Sequence, residues 1–366
     1  MNPLGRLKLD LMCRGVSLAE GVAPCFQTAG EPCVDLKEVS FSLAPDFFVT
    51  APVGGEGPAL SREDHRLVLS LPEGPRPVEP MPLPRFLQEH RAKPAATANV
   101  TLDGYCLNLY LRALNGQNHL NMKESEALGL VRAAFEEGAA EFVQLNMDYC
   151  EAPDRGVSLL VPLVQALKRN FRTFVSFRGF APDSLTVLDR LYASGVDLLV
   201  LPLEGFSSAA RLEEIMPPEH GHRALEYAAG VFPHGSVLTE LVLAPERLDL
   251  LFNKIDLVTQ KGVVPLLKLP AGGSAPLDYD RLREVAEHLE QAAARNRQPL
   301  KWLYPSSRFV SPLDVSFYTQ PEDKARLGLK PIYKSTFGKT ASEGFANLRR
   351  VLRVKNISDS YESAGL

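Results

Sequence analysis

The sequence predicts an α/β fold with a parallel sheet at its centre. Between residues 99 and 304, short β-branched runs alternate with segments of helical period, which is the pattern of repeated βαβ units. Six such units are visible, whereas a closed (β/α)8 barrel needs eight. The same alternation is also typical of an open, doubly wound sheet. The periodicity alone therefore leaves a partial barrel and a doubly wound sheet as alternatives.

Each strand is predicted from a short apolar run, and each helix from its amphipathic period and its end signals. The first central helix begins at the acidic residues Glu124 and Glu126 and ends before Gly138, which is typical of helix C-termini. The predicted strands lie at 99–106, 141–147, 172–177, 197–203, 236–243 and 262–269. The later predicted helices lie at 156–169, 182–194, 222–232, 246–261 and 278–297.

The two ends of the chain differ from this central region. The N-terminal part contains predicted strands at 7–12 and 64–72. It ends in a proline-rich stretch, 71–98, that we expect to be an extended surface connection, because proline interrupts helices and central strands. The sequence is thus divided into three regions: a cap with its proline-rich connection at 1–98, a barrel at 99–310 and a basic C-terminal extension at 311–366.

Charge is distributed unevenly along the chain. The 366 residues have a formal net charge of −4, yet residues 324–366 carry nine Lys and Arg against three Asp and Glu. Such a basic extension can contact a nucleic acid, an anionic lipid surface or an acidic protein face, or it can fold back on the acidic body. Because no nucleic-acid-binding motif is present, we expect a protein partner and no nucleic acid.

The composition excludes several classes of protein. Hydrophobic residues make up 45% and charged residues 23% of the chain, which argues against general disorder and coiled coil. No integral membrane segment and no secretory signal are predicted, because the necessary apolar runs are missing. The five cysteines are odd in number and widely spaced, which favours a reducing cytoplasm over a disulfide framework.

The candidates for chemistry are polar residues that follow the predicted strands, because the sites of parallel α/β folds lie at the carboxyl ends of strands. Arg178 and Lys268 would attract a carboxylate or a phosphate, whereas Asp148 and Glu204 are candidate acid/base groups. The complete set of ligand-binding candidates is Cys106, Asn146, Asp148, Cys150, Arg178, Glu204 and Lys268. No catalytic residue is assigned and no metal site is predicted, because the cysteine and histidine spacings match no common metal motif.

Five segments in this order and spacing resemble the radical S-adenosylmethionine (radical SAM) superfamily over roughly residues 80–310. They read AFEEGAAEFVQLN, APDRGVSLLVPLVQALK, SGVDLLVLPLEGF, ALEYAAGVFPHGSVLTELVLAPE and IDLVTQKGVVPLLKLPAGG. The resemblance implies a partial (β/α)6 TIM-like barrel of the radical SAM type, in agreement with the six units counted above. It also implies that Glu204 occupies a position that helps to hold SAM or substrate in that superfamily.

The cluster motif of that superfamily, Cys-x3-Cys-x2-Cys after the first strand, is missing from this chain. Counted from Cys106, the two other positions hold Tyr110 and Ala113, and no further cysteine lies between residues 34 and 149. Tyrosine and alanine cannot replace thiolates on an iron–sulfur cluster. The turn that meets the amino group of SAM in the family reads Asn146-Met147-Asp148 here. We therefore expect no cluster and no other assigned cofactor, with SAM possible as a plain ligand.

Two hypotheses on function follow from the resemblance and the missing motif. The first is a degenerate radical-SAM-like protein without its own [4Fe–4S] cluster. It would act as a non-catalytic subunit or scaffold, for instance beside an active radical SAM homologue, or it would bind a small molecule. The alternative is an enzyme that uses the barrel mouth, either with SAM and unusual cluster ligands or through cluster-free acid/base chemistry.

Overall fold

The computed structural model describes residues 1–30, 35–54, 56–93, 100–114, 119–204, 217–243, 248–269 and 278–327. These residues form two curled sheets, one of six strands from the N-terminal region and one of eight strands from the central region. No helix among them is both long and apolar enough to cross a membrane.

The chain begins with helix α1 (Pro3–Arg14), and the strand predicted within this segment is not present. The side chain of Asn2 caps the helix by accepting a hydrogen bond from the backbone N–H of Leu4 at 2.8 Å, an arrangement that favours a helix start. Leu4, Leu7 and Leu11 are buried. Their spacing of three and four residues places them on one helical face. This helical spacing outweighs the alternation of apolar and polar residues from which a strand was predicted at 7–12.

The N-terminal sheet is largely antiparallel and has the strand order β1-β4-β5-β6-β2-β3. A short 3-10 turn at Ala23–Phe26 separates its first two strands. The strands are β1 (Ser17–Leu18), β2 (Glu38–Ala44), β3 (Phe47–Pro52), β4 (Ala59–Glu63), β5 (Arg66–Leu71) and β6 (Gly74–Met81). The strand predicted at 64–72 is therefore confirmed as β5.

The proline-rich stretch is not the extended surface connection that the sequence predicts, because it contains strand β6 and helix α2 (Arg85–Ala92). The register explains how β6 accommodates its prolines. Pro75 and Pro77 lie in the half of β6 that pairs with β5, whereas Pro80 lies in the half that pairs with β2. Each half has a neighbour on one side only, and an unpaired edge is where a residue without an N–H is tolerated.

The central sheet begins with a hairpin instead of the single strand predicted at 99–106. Strands β7 (Val100–Asp103) and β8 (Cys106–Leu111) are antiparallel and meet at a two-residue turn. Gly104 in this turn has a φ of 54°, a conformation that glycine adopts without a steric penalty. The first parallel strand therefore begins at Cys106 rather than ending there.

Six strands from β8 onward are parallel and lie side by side in chain order. This order lacks the reversal of a doubly wound sheet, so the α/β fold is singly wound. An antiparallel strand, β14 (Phe309–Val310), extends the far edge. The remaining strands are β9 (Phe142–Met147), β10 (Val175–Arg178), β11 (Leu198–Val200), β12 (Val237–Val242) and β13 (Val264–Lys268).

Helices alternate with these strands, as the sequence predicts. They are α3 (Glu124–Glu136), α4 (Val157–Asn170), α5 (Val187–Ser194), α6 (Pro218–Val231), α7 (Leu248–Gln260) and α8 (Tyr279–Arg295). Residues of α3 to α6 pack against alternate residues of β8 to β11, including Leu107, Val143 and Leu199. The opposite face of the strands forms a separate apolar cluster with Trp302 and Leu303, which closes the amino end of the curled sheet.

The segment after α8 joins both sheets to α1. The Nζ atom of Lys8, a residue that is fully buried in α1, donates to the carbonyl oxygen of Ser306 at 2.7 Å and to Asp314 at 3.3 Å. A short helix, α9 (Ser316–Thr319), follows. Most of the predicted basic extension, from residue 328 onward, lies outside the described residues.

Candidate functional site

Polar side chains stand on the inner face of the curled sheet, toward the carboxyl ends of its strands. In β8, Asn108 and Tyr110 line a cavity that opens to solvent beside Tyr110, whereas Leu109 between them packs under the helices. Gln144 and Asn146 of β9 line the same cavity and lie opposite Asn108 and Tyr110 in the strand register. The alternation of a β-strand thus turns four polar residues of two otherwise apolar strands inward.

Three of these residues form a closed amide network. Gln144 Nε2 donates to Asn108 Oδ1 at 3.0 Å and to Asn146 Oδ1 at 2.9 Å. Asn146 Nδ2 donates to Asn108 Oδ1 at 3.1 Å, and the hydroxyl of Ser176 donates to Gln144 Oε1 at 3.1 Å. All four side chains are buried. A connected buried network fixes its members in one arrangement, so this wall of the cavity is rigid.

An ion pair crosses the same inner face. Arg178, the last residue of β10, donates to Glu240 of β12 through Nε at 2.5 Å and through Nη2 at 2.7 Å. Burial acts to lower the pKa of Arg178, but the hydrogen bonds and charge of Glu240 outweigh burial and raise it. Arg178 is therefore charged in the folded protein.

Lys268, the last residue of β13, contributes a half-buried amine to this cavity. Burial lowers the pKa of Lys268, and the positive charges of Arg178 and Arg308 act in the same direction. The carboxylate of Glu240 opposes these effects without cancelling them. Lys268 is thus the cation of this site that releases its proton most readily, because an arginine stays protonated in proteins.

Arg308 extends from the segment between Trp302 and β14 and is held by the N-terminal sheet. Its Nη2 atom donates to Glu38 of β2 at 2.6 Å. Burial acts to lower the pKa of Arg308, and the charge and hydrogen bond of Glu38 raise it above its usual value. The Nε atom of Arg308 is buried and has no hydrogen-bond partner among the described residues. A buried donor of this kind can donate a hydrogen bond to a ligand oxygen.

Asp103 anchors the base of the cavity. Its two oxygens accept hydrogen bonds from the hydroxyl of Ser306 at 2.6 Å and from the backbone N–H and hydroxyl of Ser307 at 2.6 and 2.8 Å. The hydroxyl of Tyr304 donates to the same carboxylate at 3.3 Å. Burial and the charge of Asp103 raise the pKa of Tyr304 well above its usual range, so Tyr304 remains a neutral donor.

These groups surround a cavity of about 280 Å³. The N-terminal sheet closes one side of it, where the Thr50 hydroxyl contacts the Ser307 hydroxyl at 2.6 Å. The volume lies just below the range of about 300–1,000 Å³ that holds drug-sized ligands, so the cavity suits a small metabolite. Its charged lining consists of Glu38, Asp103, Arg178, Glu240, Lys268 and Arg308.

The structure brings together three of the residues selected from the sequence, namely Asn146, Arg178 and Lys268. Glu204 lies elsewhere, because its carboxylate pairs with Lys254 of α7 and accepts a hydrogen bond from the backbone N–H of Val242 at 2.9 Å. This pairing connects the loop after β11 to the neighbouring helix and strand. Glu204 therefore has a structural partner on each side and does not line the cavity.

Asp148 and Cys150 lie in the loop after β9 and are also outside the cavity lining. The carboxylate of Asp148 is exposed and accepts a hydrogen bond from the backbone N–H of Tyr149 at 2.8 Å. Cys106 lies at the other end of the sheet, opposite Phe142 at the start of β9. Burial raises the pKa of the Cys106 thiol well above its usual value.

The positions of Cys106 and Cys150 do not suit a shared iron–sulfur cluster. Cys106 begins β8 and Cys150 follows the end of β9, so the two thiols are separated by about 16 Å of strand and do not face each other across the sheet. The segment that follows the first parallel strand begins at Arg112, and the sequence has no cysteine from there to residue 149. No group of three His, Cys, Asp or Glu side chains suited to a metal ion occurs within the described ranges. The residues that the structure describes do not fit a [4Fe–4S] cluster.

Several cavity residues were not selected from the sequence. For Asn108, Tyr110 and Gln144 a signal exists, because a polar residue at every second position of a buried strand indicates an inner polar face. Glu38 and Arg308 carry no such signal. They are 270 residues apart in the chain, and only the packing of the two sheets brings them together.

The site can hold a small acidic molecule by charge and by hydrogen bonding. Lysine and arginine bind carboxylate and phosphate oxygens, and the amide wall and the tyrosine hydroxyls can orient polar groups beside them. No known family model matches the chain, and no curated protein matches it.

Proposed function

We propose that this chain is a degenerate radical-SAM-like protein that lacks its own [4Fe–4S] cluster and binds a small acidic molecule in the central cavity. The cavity at the carboxyl ends of β8 to β13 carries the proposal, because Arg178, Lys268 and Arg308 converge there on a rigid amide wall. The unpartnered Nε atom of Arg308 adds a donor for a ligand oxygen.

The relation to radical SAM proteins is supported by the singly wound order of six parallel strands and by the five segments that resemble the superfamily. The loss of the cluster is supported by the absence of cysteine between residues 107 and 149. A role as a subunit or scaffold beside an active homologue remains a second proposal. It depends on the basic extension, most of which lies outside the described residues.

Thermal unfolding with and without small acids tests the binding function. Succinate, inorganic phosphate and SAM are suitable probes because each carries an acidic group of different size and charge. A bound ligand at 100 times its Kd adds about 2.7 kcal/mol to the free energy of unfolding, which raises Tm measurably. We expect at least one probe to raise the Tm of the wild-type protein.

Lys268→Gln is expected to abolish this rise, whereas Lys324→Gln, a change at an exposed lysine outside the cavity, is the matched control. No rise in Tm with any small acid would contradict the binding proposal. Anaerobic reconstitution with iron and sulfide tests the loss of the cluster independently. We expect no stoichiometric binding, and about four irons per chain would contradict this part of the proposal.

A further inference from the structure

Lys268 has the environment of a reactive amine. It ends β13, it is half-buried, and it lines the cavity together with the guanidinium groups of Arg178 and Arg308. Lysine amines become nucleophiles when they are desolvated or placed beside other cations, because both effects favour the neutral amine. Both conditions hold at Lys268, and the direction of its pKa shift agrees with them.

The surroundings of Lys268 also suit a charged imine. Glu240 is nearly fully buried and interacts electrostatically with Lys268. Arg178 holds this carboxylate in place through two hydrogen bonds. A protonated imine at Lys268 would therefore keep a fixed negative charge beside it, and preorganised charge of this kind stabilises ionic intermediates.

We propose that Lys268 forms an imine with a small carbonyl compound that carries a carboxylate, such as a 2-oxo acid. In this step the Nζ lone pair attacks the carbonyl carbon and a C–N bond forms. The carbonyl C–O bond then breaks, and the oxygen leaves as water with the two protons that the neutral amine gives up. The imine nitrogen then takes up one proton from solvent and becomes positively charged. The step needs no oxidant or reductant.

The unpartnered donor of Arg308 favours a carbonyl compound that also carries a carboxylate. Its buried Nε has no partner among the described residues, while Glu38 fixes the guanidinium through Nη2. A carboxylate oxygen at Nε would satisfy this donor in a charge-assisted hydrogen bond. The inference rests on the proposed function, because it specifies which small acids the cavity takes.

Trapping with borohydride tests the imine directly. The protein is incubated with pyruvate and then reduced, and the modified lysines are located by peptide mass mapping. We expect the reduced adduct on Lys268 at about tenfold or more over exposed Lys324. Acetone, a carbonyl compound without a carboxylate, is expected to give much less adduct. An even distribution over exposed lysines would overturn the proposal, and because this readout uses the wild-type chain it does not depend on how a variant folds.

Two variants extend the test. Lys268→Arg keeps the positive charge but cannot form an imine with pyruvate under these conditions, so the adduct is expected to disappear. Arg308→Lys keeps a cation near Glu38 but removes Nε, and we expect it to lower the pyruvate adduct while leaving the small acetone adduct unchanged. Equal pyruvate labelling of the wild-type and Arg308→Lys proteins would overturn the role of Arg308.

Thermal unfolding with lactate distinguishes a failure of the imine proposal from a failure of the proposed binding function. Lactate carries the carboxylate of pyruvate but has no carbonyl group to react. If lactate or succinate raises Tm and pyruvate leaves Lys268 unlabelled, the imine is overturned and the binding function stands. If no acid raises Tm and no adduct forms, both are overturned.

Discussion

Arg178 reaches across β11 to Glu240 and binds both carboxylate oxygens of this residue, with N–O distances of 2.5 and 2.7 Å. The pair connects β10 to β12 on the inner face of the sheet, where the intervening strand contributes only apolar residues. Glu240 is 1% exposed, so its carboxylate is shielded from solvent. The pair thus fixes the carboxylate of Glu240, whose negative charge acts on Lys268.

Glu240→Gln is expected to destabilise the protein by about 3–5 kcal/mol, because it leaves the largely buried guanidinium of Arg178 without a counter-charge. The free energy of unfolding is measured by urea denaturation. Glu226→Gln is the matched control, since Glu226 pairs with Lys261 at the surface. Equal urea midpoints for the wild-type and Glu240→Gln proteins would show that the pair is not important for stability.

Asp148 and Glu204, unlike Lys268, are not expected to contribute to ligand binding. Neither residue lines the cavity, so Asp148→Asn and Glu204→Gln should leave the Kd of a small acid unchanged. Glu204→Gln should lower Tm slightly, because the carboxylate pairs with Lys254 and accepts the N–H of Val242. Titration calorimetry of both variants measures the affinity. A tenfold loss of affinity in either one, about 1.4 kcal/mol, would place that residue in the binding site.

The part of the site that the sequence predicts is the part that depends on strand period. Arg178 and Lys268 each end a parallel strand, and a polar residue at the carboxyl end of an apolar run points to the mouth of the sheet. The ends of the strands are predicted less accurately than their positions in the chain. Because Gly104 starts a tight turn, the first parallel strand begins at Cys106, and the cysteine thought to lie at the mouth lies at the opposite end.

The remaining features depend on tertiary contacts that no local pattern encodes. The pairing of Arg308 with Glu38 requires the two sheets to pack together, and the buried contact of Lys8 with Asp314 requires α1 to pack on the segment before α9. The prolines of β6 illustrate a second limit. Their presence argued against a strand, whereas a strand that pairs on one side at a time accommodates them.

The pH dependence of imine trapping follows from the lowered pKa of Lys268. The reaction needs the neutral amine, so the adduct should form faster as the pH rises through this pKa. The rate should then level off at a pH below 10.5, the usual lysine value. A small lysine amide in solution is the control, and its rate should continue to rise up to that value. Identical pH profiles would show that the cavity does not activate Lys268.

Cys106 should resist alkylation in the folded protein. It is fully buried at the amino end of β8, and burial raises the pKa of its thiol, so very little reactive thiolate is present at neutral pH. Cys25 and Cys150 are half-buried and should react with iodoacetamide much faster, whereas Cys106 should react only after unfolding in urea. Mass mapping of the alkylated peptides measures each site. Rapid labelling of Cys106 without denaturant would mean that the apolar cluster around it opens readily, and a thiol ligand at this position would then deserve a renewed test by iron reconstitution.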